Sequence, residues 1–142
     1  MYNPQPTVND LAGQRLLLGF DGTAFNGELE QLINEFRVAG IILFKQNIET
    51  ADQVRKLCLK CQSFAASCGL PPLIIATDQE GGTVARFREG FTRFGGGPDI
   101  TTPADAQRFA QVTARELLTV GVNMNFAPVM DVVPIWVDSI MP

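Results

Sequence analysis

The 142-residue chain is 46% hydrophobic and 18% charged, with a formal net charge of −4. That composition suits one domain with a real core and argues against disorder. The acidic balance argues against a nucleic-acid partner, no apolar run is long enough for a membrane span, and the absence of histidine leaves any chemistry to carboxylates, Lys, Arg, Tyr or Cys.

Residues 1–13 are polar, contain proline and read as a segment leading into the fold. Residues 15–20 (RLLLGF) predict a short strand, with Asp21 and Gly22 opening a loop. From Asn26 the period changes: Leu29, Leu32, Ile33 and Phe36 fall on one helical stripe. Gly40 stands where that helix is expected to stop. Residues 41–44 (IILF) predict a second strand, followed by Lys45, Gln46 and Asn47. Thr50 then reads as an N-cap, with Gln53 as its capping-box partner. Val54, Leu57, Cys58, Cys61, Phe64, Ala65 and Cys68 form the apolar stripe of a second helix, closed by Gly69 and by Pro71 and Pro72.

Residues 73–77 predict a third strand. An acid-and-glycine turn follows at residues 78–82, then three arginines, Arg86, Arg88 and Arg93. Gly95, Gly96 and Gly97 suggest a flexible loop, since no phosphate-loop ending accompanies them. Thr102 and Pro103 open a third helix with the stripe Ala106, Phe109, Ala110, Thr113, Leu117 and Val120, stopped by Gly121. Residues 122–126 (VNMNF) predict a fourth strand, bent or broken at Pro128 before Asp131.

The order β-α-β-α-β-α-β implies a parallel α/β sheet with right-handed crossovers. Each strand leads into a polar cluster: Asp21, then Lys45 with Asn47, then Asp78 with Glu80, then Asp131. In parallel strands these ends share one rim, as in the active face of a TIM (β/α)8 barrel. A complete barrel takes about 250 residues and eight strands, so residues 1–142 are expected to form roughly its N-terminal half, as a single truncated domain. Half a barrel leaves two unpaired strand edges, and self-association through them is expected. The start lacks a charged segment before an apolar core, so a secretory signal is not expected. Cys58, Cys61 and Cys68, odd in number and clustered, fit reduced thiols in a cytoplasmic protein.

Residues 78–93, DQEGGTVARFREGFTR, resemble a loop of the family-3 glycoside hydrolases, in their β-N-acetylglucosaminidase branch. Two further blocks agree in order and spacing. Residues 39–47 (AGIILFKQN) resemble that family's G-x-I-L-F-x-x-N strand and loop, and residues 121–132 (GVNMNFAPVMDV) resemble its G-I-N-x-x-F-A-P-V-x-D-V block. Three ordered blocks carry far more than one pentapeptide. The resemblance implies a retaining hydrolase of N-acetylglucosamine-containing saccharides such as cell-wall fragments, with a small carbohydrate as partner and no cofactor or metal. It assigns sugar binding to Asp78 and Arg86, and the loop glycines to close approach of backbone to ligand.

The family's bond-breaking groups, a late-barrel Asp in D-D-x-M and a His on a K-H-F-P-G-H-G loop, have no counterpart here, and Thr83 replaces a common Arg. The resemblance therefore implies no catalytic residue in this sequence and no turnover by the chain alone. Glu80, Asp21 and Asp131 are candidates for lining the pocket. Asp78 with Glu80 also reads as a divalent-metal pair of a barrel lyase or aldolase, and a non-catalytic sugar-binding remnant is a third reading. Arg88 and Arg93 read as solvated charges, Cys58 and Cys61 as core packing ahead of a zinc or redox role, and Phe126 and Trp136 as core filling ahead of stacking on a sugar.

Overall fold

In the computed structural model, residues 5–130 are described. The elements run α1 (Val8–Gly13), β1 (Leu17–Leu18), α2 (Gly27–Asn34), β2 (Gly40–Leu43), α3 (Ala51–Ser67), β3 (Ile74–Thr77), β4 (Gln79–Gly81), β5 (Val84–Ala85), α4 (Pro103–Thr119) and β6 (Met124–Asn125). Short 3-10 turns occupy Lys45–Asn47 and Gly97–Asp99. Four strands form one sheet in the order β1-β2-β3-β6, all parallel. That is the β/α succession expected of a barrel's first half. Asp131 and Trp136 lie outside the described residues.

The core is made where the strands meet the helices. Ile41, Leu43 and Ile75 from β2 and β3 are fully buried, as are Leu29 and Ile33 of α2 and Val54 and Cys61 of α3. β2 and β3 are buried almost continuously rather than alternately, as parallel strands covered by crossover helices are. Cys58 and Cys61 sit in this core, and burial pushes each thiol up to about 12. They remain protonated packing groups at neutral pH.

β6 has only two ladder residues, yet it is held more firmly than that length suggests. The Asn123 amide spans β3, donating to the Leu73 carbonyl at 3.0 Å and accepting from the Ile75 N–H at 2.8 Å. The Phe126 N–H donates to the Thr77 carbonyl. Asparagine side chains thus prolong the ladder beyond the strand itself.

Several sequence expectations change. α1 is a helix, capped by Thr7 and Asp10 acting reciprocally. Asp10 also pairs with Arg37, which ties α1 beneath the turn between α2 and β2. Gly40 opens β2 instead of stopping α2. The helix ends at Asn34, and Arg37, at φ +53°, makes the left-handed turn. Any Cβ at Gly40 would strike the Ile74 carbonyl and the Leu17 side chain, so glycine there lets β1 and β3 close on both sides of β2. Phe36 lies past the helix and is half-exposed.

Thr50 does cap α3, accepting from the Gln53 N–H at 3.1 Å. The Gln53 side chain, however, accepts from the Glu49 N–H, one residue early, and donates to the carbonyls of Thr23 and Asn47. In α4 the buried stripe is Phe109, Thr113, Leu117 and, just past its end, Val120, while Ala106 and Ala110 are exposed. A lone methyl costs little in water, so alanine is a poor marker of a helix's inner face.

Gly40→Ala is expected to lower the unfolding free energy by at least about 2 kcal/mol through backbone overpacking. Gly27→Ala, where a Cβ meets nothing within 4 Å, serves as the control and should leave the urea midpoint unchanged or raised.

Candidate functional site

The carboxyl ends of the strands form the rim that the parallel order demands. β3 ends at Thr77, whose hydroxyl is locked to the Leu43 carbonyl at 3.1 Å. The next residue, Asp78, leaves the sheet with its side chain about one-fifth exposed. Beyond it the chain makes an antiparallel hairpin, β4 with β5, in place of an irregular turn. The hairpin returns Arg86 to Asp78, with Nη2 donating to Oδ2 at 2.9 Å. The guanidinium also lies over the Phe44 ring, 5.9 Å from its centroid. Its Nε–H is buried and finds no acceptor among the described residues. One carboxylate and one guanidinium are therefore fixed side by side, part-exposed at the rim, with hydrogen-bonding capacity to spare.

Gln79 makes that arrangement possible, and sequence reasoning assigned it nothing. It is buried, between the part-exposed Asp78 and Glu80. Its side-chain amide forms two bonds to one residue, donating to the Phe87 carbonyl at 2.8 Å and accepting from the Phe87 N–H at 2.9 Å. Its backbone is gripped in the same two-point way by Asn125, whose Oδ1 accepts from the Gln79 N–H and whose Nδ2 donates to the Gln79 carbonyl. The chain of contacts runs from β6 through Gln79 to the residue after Arg86. No periodicity marked Gln79 in the sequence, because a strand of three residues is too short to show alternation.

The motif glycines serve backbone packing. Gly81 and Gly82 have φ of +90° and +58°, and a Cβ on them would come within 2.8 Å of the Gly96 nitrogen and the Gly95 oxygen. The Gly82 N–H donates to the Phe94 carbonyl at 2.8 Å. The triglycine stretch, expected as a free loop, is thus the surface on which the hairpin rests.

Other candidates fall away from the pair. Asp21 is exposed; its backbone is bonded by Glu28 and Asn26, and nothing joins its carboxylate to Asp78 or Arg86. Glu80 is half-buried in β4 and forms no ion pair with Arg86. Asn47, expected at the rim, is fully buried and ties together the ends of β1 and β2, donating to the carbonyls of Phe20 and Gly22. Arg88 is exposed and braces its own hairpin through the carbonyls of Thr83 and Ala85. Among the described residues no cluster of three or more His, Cys, Asp or Glu is placed to hold a metal ion.

Two cavities flank the hairpin. A small one of about 160 Å³ lies between the hairpin and α4. A larger cleft of about 650 Å³ lies between the start of α3 and the segment after β5, with Arg86 in its wall.

Residues 7–140 match the family described as glycosyl hydrolase family 3 N terminal domain. This chain belongs to glycosyl hydrolase family 3. That family membership leaves the metal-dependent lyase or aldolase alternative without support. A β-hexosaminidase of Alkalilimnicola ehrlichii is 40% identical over 126 residues, covering 82% of this chain and 35% of the relative. One from Pseudomonas aeruginosa is 37% identical over 120 residues, with the same coverage. The chain thus spans about a third of the length of these curated relatives.

Among solved structures, a family 3 β-N-acetylglucosaminidase from Paenibacillus superposes with a TM-score of 0.83 at 36% identity, covering 87% of this chain and 24% of that one. A β-N-acetylhexosaminidase from Beutenbergia cavernae superposes with a TM-score of 0.79 at 30% identity, covering 92% and 40%. This family 3 chain is accordingly the N-terminal portion of the family's (β/α) barrel.

Gln79→Ala would strand two buried backbone groups at Phe87, at a cost of about 1–3 kcal/mol for each. Its unfolding free energy should fall by about 2–6 kcal/mol, read by urea denaturation, while Glu80→Ala, which breaks no such bond, should leave it near that of the parent.

Proposed function

We propose that this family 3 chain supplies the sugar-binding side of a retaining β-N-acetylglucosaminidase acting on cell-wall-derived saccharides. The observation that carries the reading is the Asp78–Arg86 pair, held part-exposed at the carboxyl end of an inner strand of the sheet. An ionised carboxylate accepts from two neighbouring sugar hydroxyls, and a guanidinium donates to others, each bond strengthened by charge. Their mutual bond orients both before a ligand arrives, which lowers the ordering cost of binding. Partial contact with water limits what the pair adds to fold stability, since solvent-screened ion pairs contribute about 1 kcal/mol or less. The names of the relatives point to N-acetylglucosamine as the first ring.

The reading divides labour within the reaction. Retention requires an acid/base and a nucleophile on opposite sides of one glycosidic bond. The sequence has no histidine and no D-D-x-M motif, so this chain binds and orients the ring while bond cleavage depends on groups it does not contain. A cytoplasmic setting, and with it a role in recycling wall fragments, is part of the proposal. Its support is the three free cysteines, two of them deep in the core.

Calorimetric titration of the 142-residue chain with N-acetylglucosamine should show binding. Asp78→Asn and Arg86→Leu should each weaken it at least tenfold, which corresponds to about 1.4 kcal/mol, with unchanged thermal midpoints. The same preparation should release no aryl group from an aryl N-acetylglucosaminide. Unchanged affinity in both variants would overturn the binding role, and enzyme-dependent release would overturn the division of labour.

A further inference from the structure

The smaller cavity, between the hairpin and α4, includes neither Asp78 nor Arg86 in its wall. Its floor is aromatic. Phe87 and Phe109 are buried, and Phe94 stands edge-on to Phe109 with ring centroids 5.2 Å apart. Two cations, Arg88 and Arg93, complete the wall, and no carboxylate lines it. Three groups here keep donors to spare. Arg88 is held by the carbonyls of Ala85 and Thr83 through Nε and Nη2, which leaves its Nη1 with no partner among the described residues. Arg93 forms no hydrogen bond or ion pair with any of them. Thr113, in the middle of α4, is only 5% exposed and forms part of the cavity wall. Its hydroxyl is bonded to no described residue, although a threonine inside a helix can donate to the carbonyl one turn back. Buried hydroxyls are rarely left so, and the cavity is where a partner for this one belongs. Glu116, which is bonded to the same wall, is already engaged by Thr92, accepting from its N–H and its hydroxyl.

Size and lining together select the ligand. The volume of about 160 Å³ is below the usual range for drug-sized ligands, about 300–1,000 Å³, so the cavity admits a molecule of few heavy atoms. Unopposed guanidinium groups call for an anion, and their forked donors match the two oxygens of a carboxylate. Phosphate carries charge but no apolar part, and phenyl rings cannot replace the water it would lose. We propose that this cavity binds a short-chain carboxylate such as propionate. Arg88, Arg93 and the Thr113 hydroxyl donate to its oxygens, and its alkyl end rests on Phe87, Phe94 and Phe109. Gln79 and Phe87 both belong to the wall, so the ligand seats against the joint that brings Arg86 to Asp78, on the side away from the rim pair.

Titration of the 142-residue chain with propionate, propionamide and inorganic phosphate, followed by amide chemical shifts at constant ionic strength, tests the site. Propionate should give saturable shifts at Phe94 and Thr113 and bind at least tenfold more tightly than either of the others. Arg93→Gln removes no bond made within the described residues, and Thr113→Val keeps the shape of the side chain. Each should weaken propionate at least tenfold while the thermal midpoint stays at or above that of the parent. Absence of saturable shifts with propionate, or an affinity that survives either substitution, overturns the site. Propionamide binding as tightly as propionate overturns the part given to the arginines, and phosphate binding as tightly overturns the carboxylate assignment.

Discussion

The site depends on one buried amide. Gln79 follows directly on the acid that ends β3, and its side chain cannot face water without releasing both backbone groups of Phe87. Unmet backbone groups in a buried setting cost too much to be left so. The hairpin therefore has one position, and Arg86, immediately before Phe87, is delivered to Asp78 as a consequence. The ion pair itself is weak. Its geometry comes from neutral hydrogen bonds around it, which salt does not screen as it screens an exposed charge pair.

A second constraint acts from outside. The glycines of the hairpin and those of residues 95–97 pack backbone against backbone, so two loops that look separately flexible brace one another. Glycine at these positions is thus required by loop-to-loop contact at the rim. The cleft beside α3 is a product of the same arrangement: the hairpin's return holds Arg86, Phe87 and Phe91 at a fixed separation from the turn after β2.

Much of this was legible from residue order, and the limits have physical causes. Apolar runs of four or five residues marked β2 and β3, because parallel strands are buried on both faces. Stripes at helical spacing marked α2, α3 and α4, and Thr50 and Thr102 cap where their side chains suggested. α1 was not legible, since six residues carry too little periodicity and its anchor, Arg37, stands 27 positions from Asp10. The hairpin was missed because strands of two and three residues show no period. Gly40 was misread as a helix stop because a close backbone approach and a left-handed turn both select glycine. At the site, Asp78 and Arg86 were legible through their motif. Gln79 and Asn125 were not, because an amide that mimics backbone leaves no mark in composition or charge.

Amide hydrogen exchange reads the central claim most directly. If the Gln79 side chain fixes the hairpin to the sheet, the Phe87 N–H should exchange as slowly as the Ile75 N–H inside β3, although Phe87 lies in a loop. Exchange at Phe87 as fast as at the exposed amides of the surrounding loop, with Ile75 still protected, would contradict it.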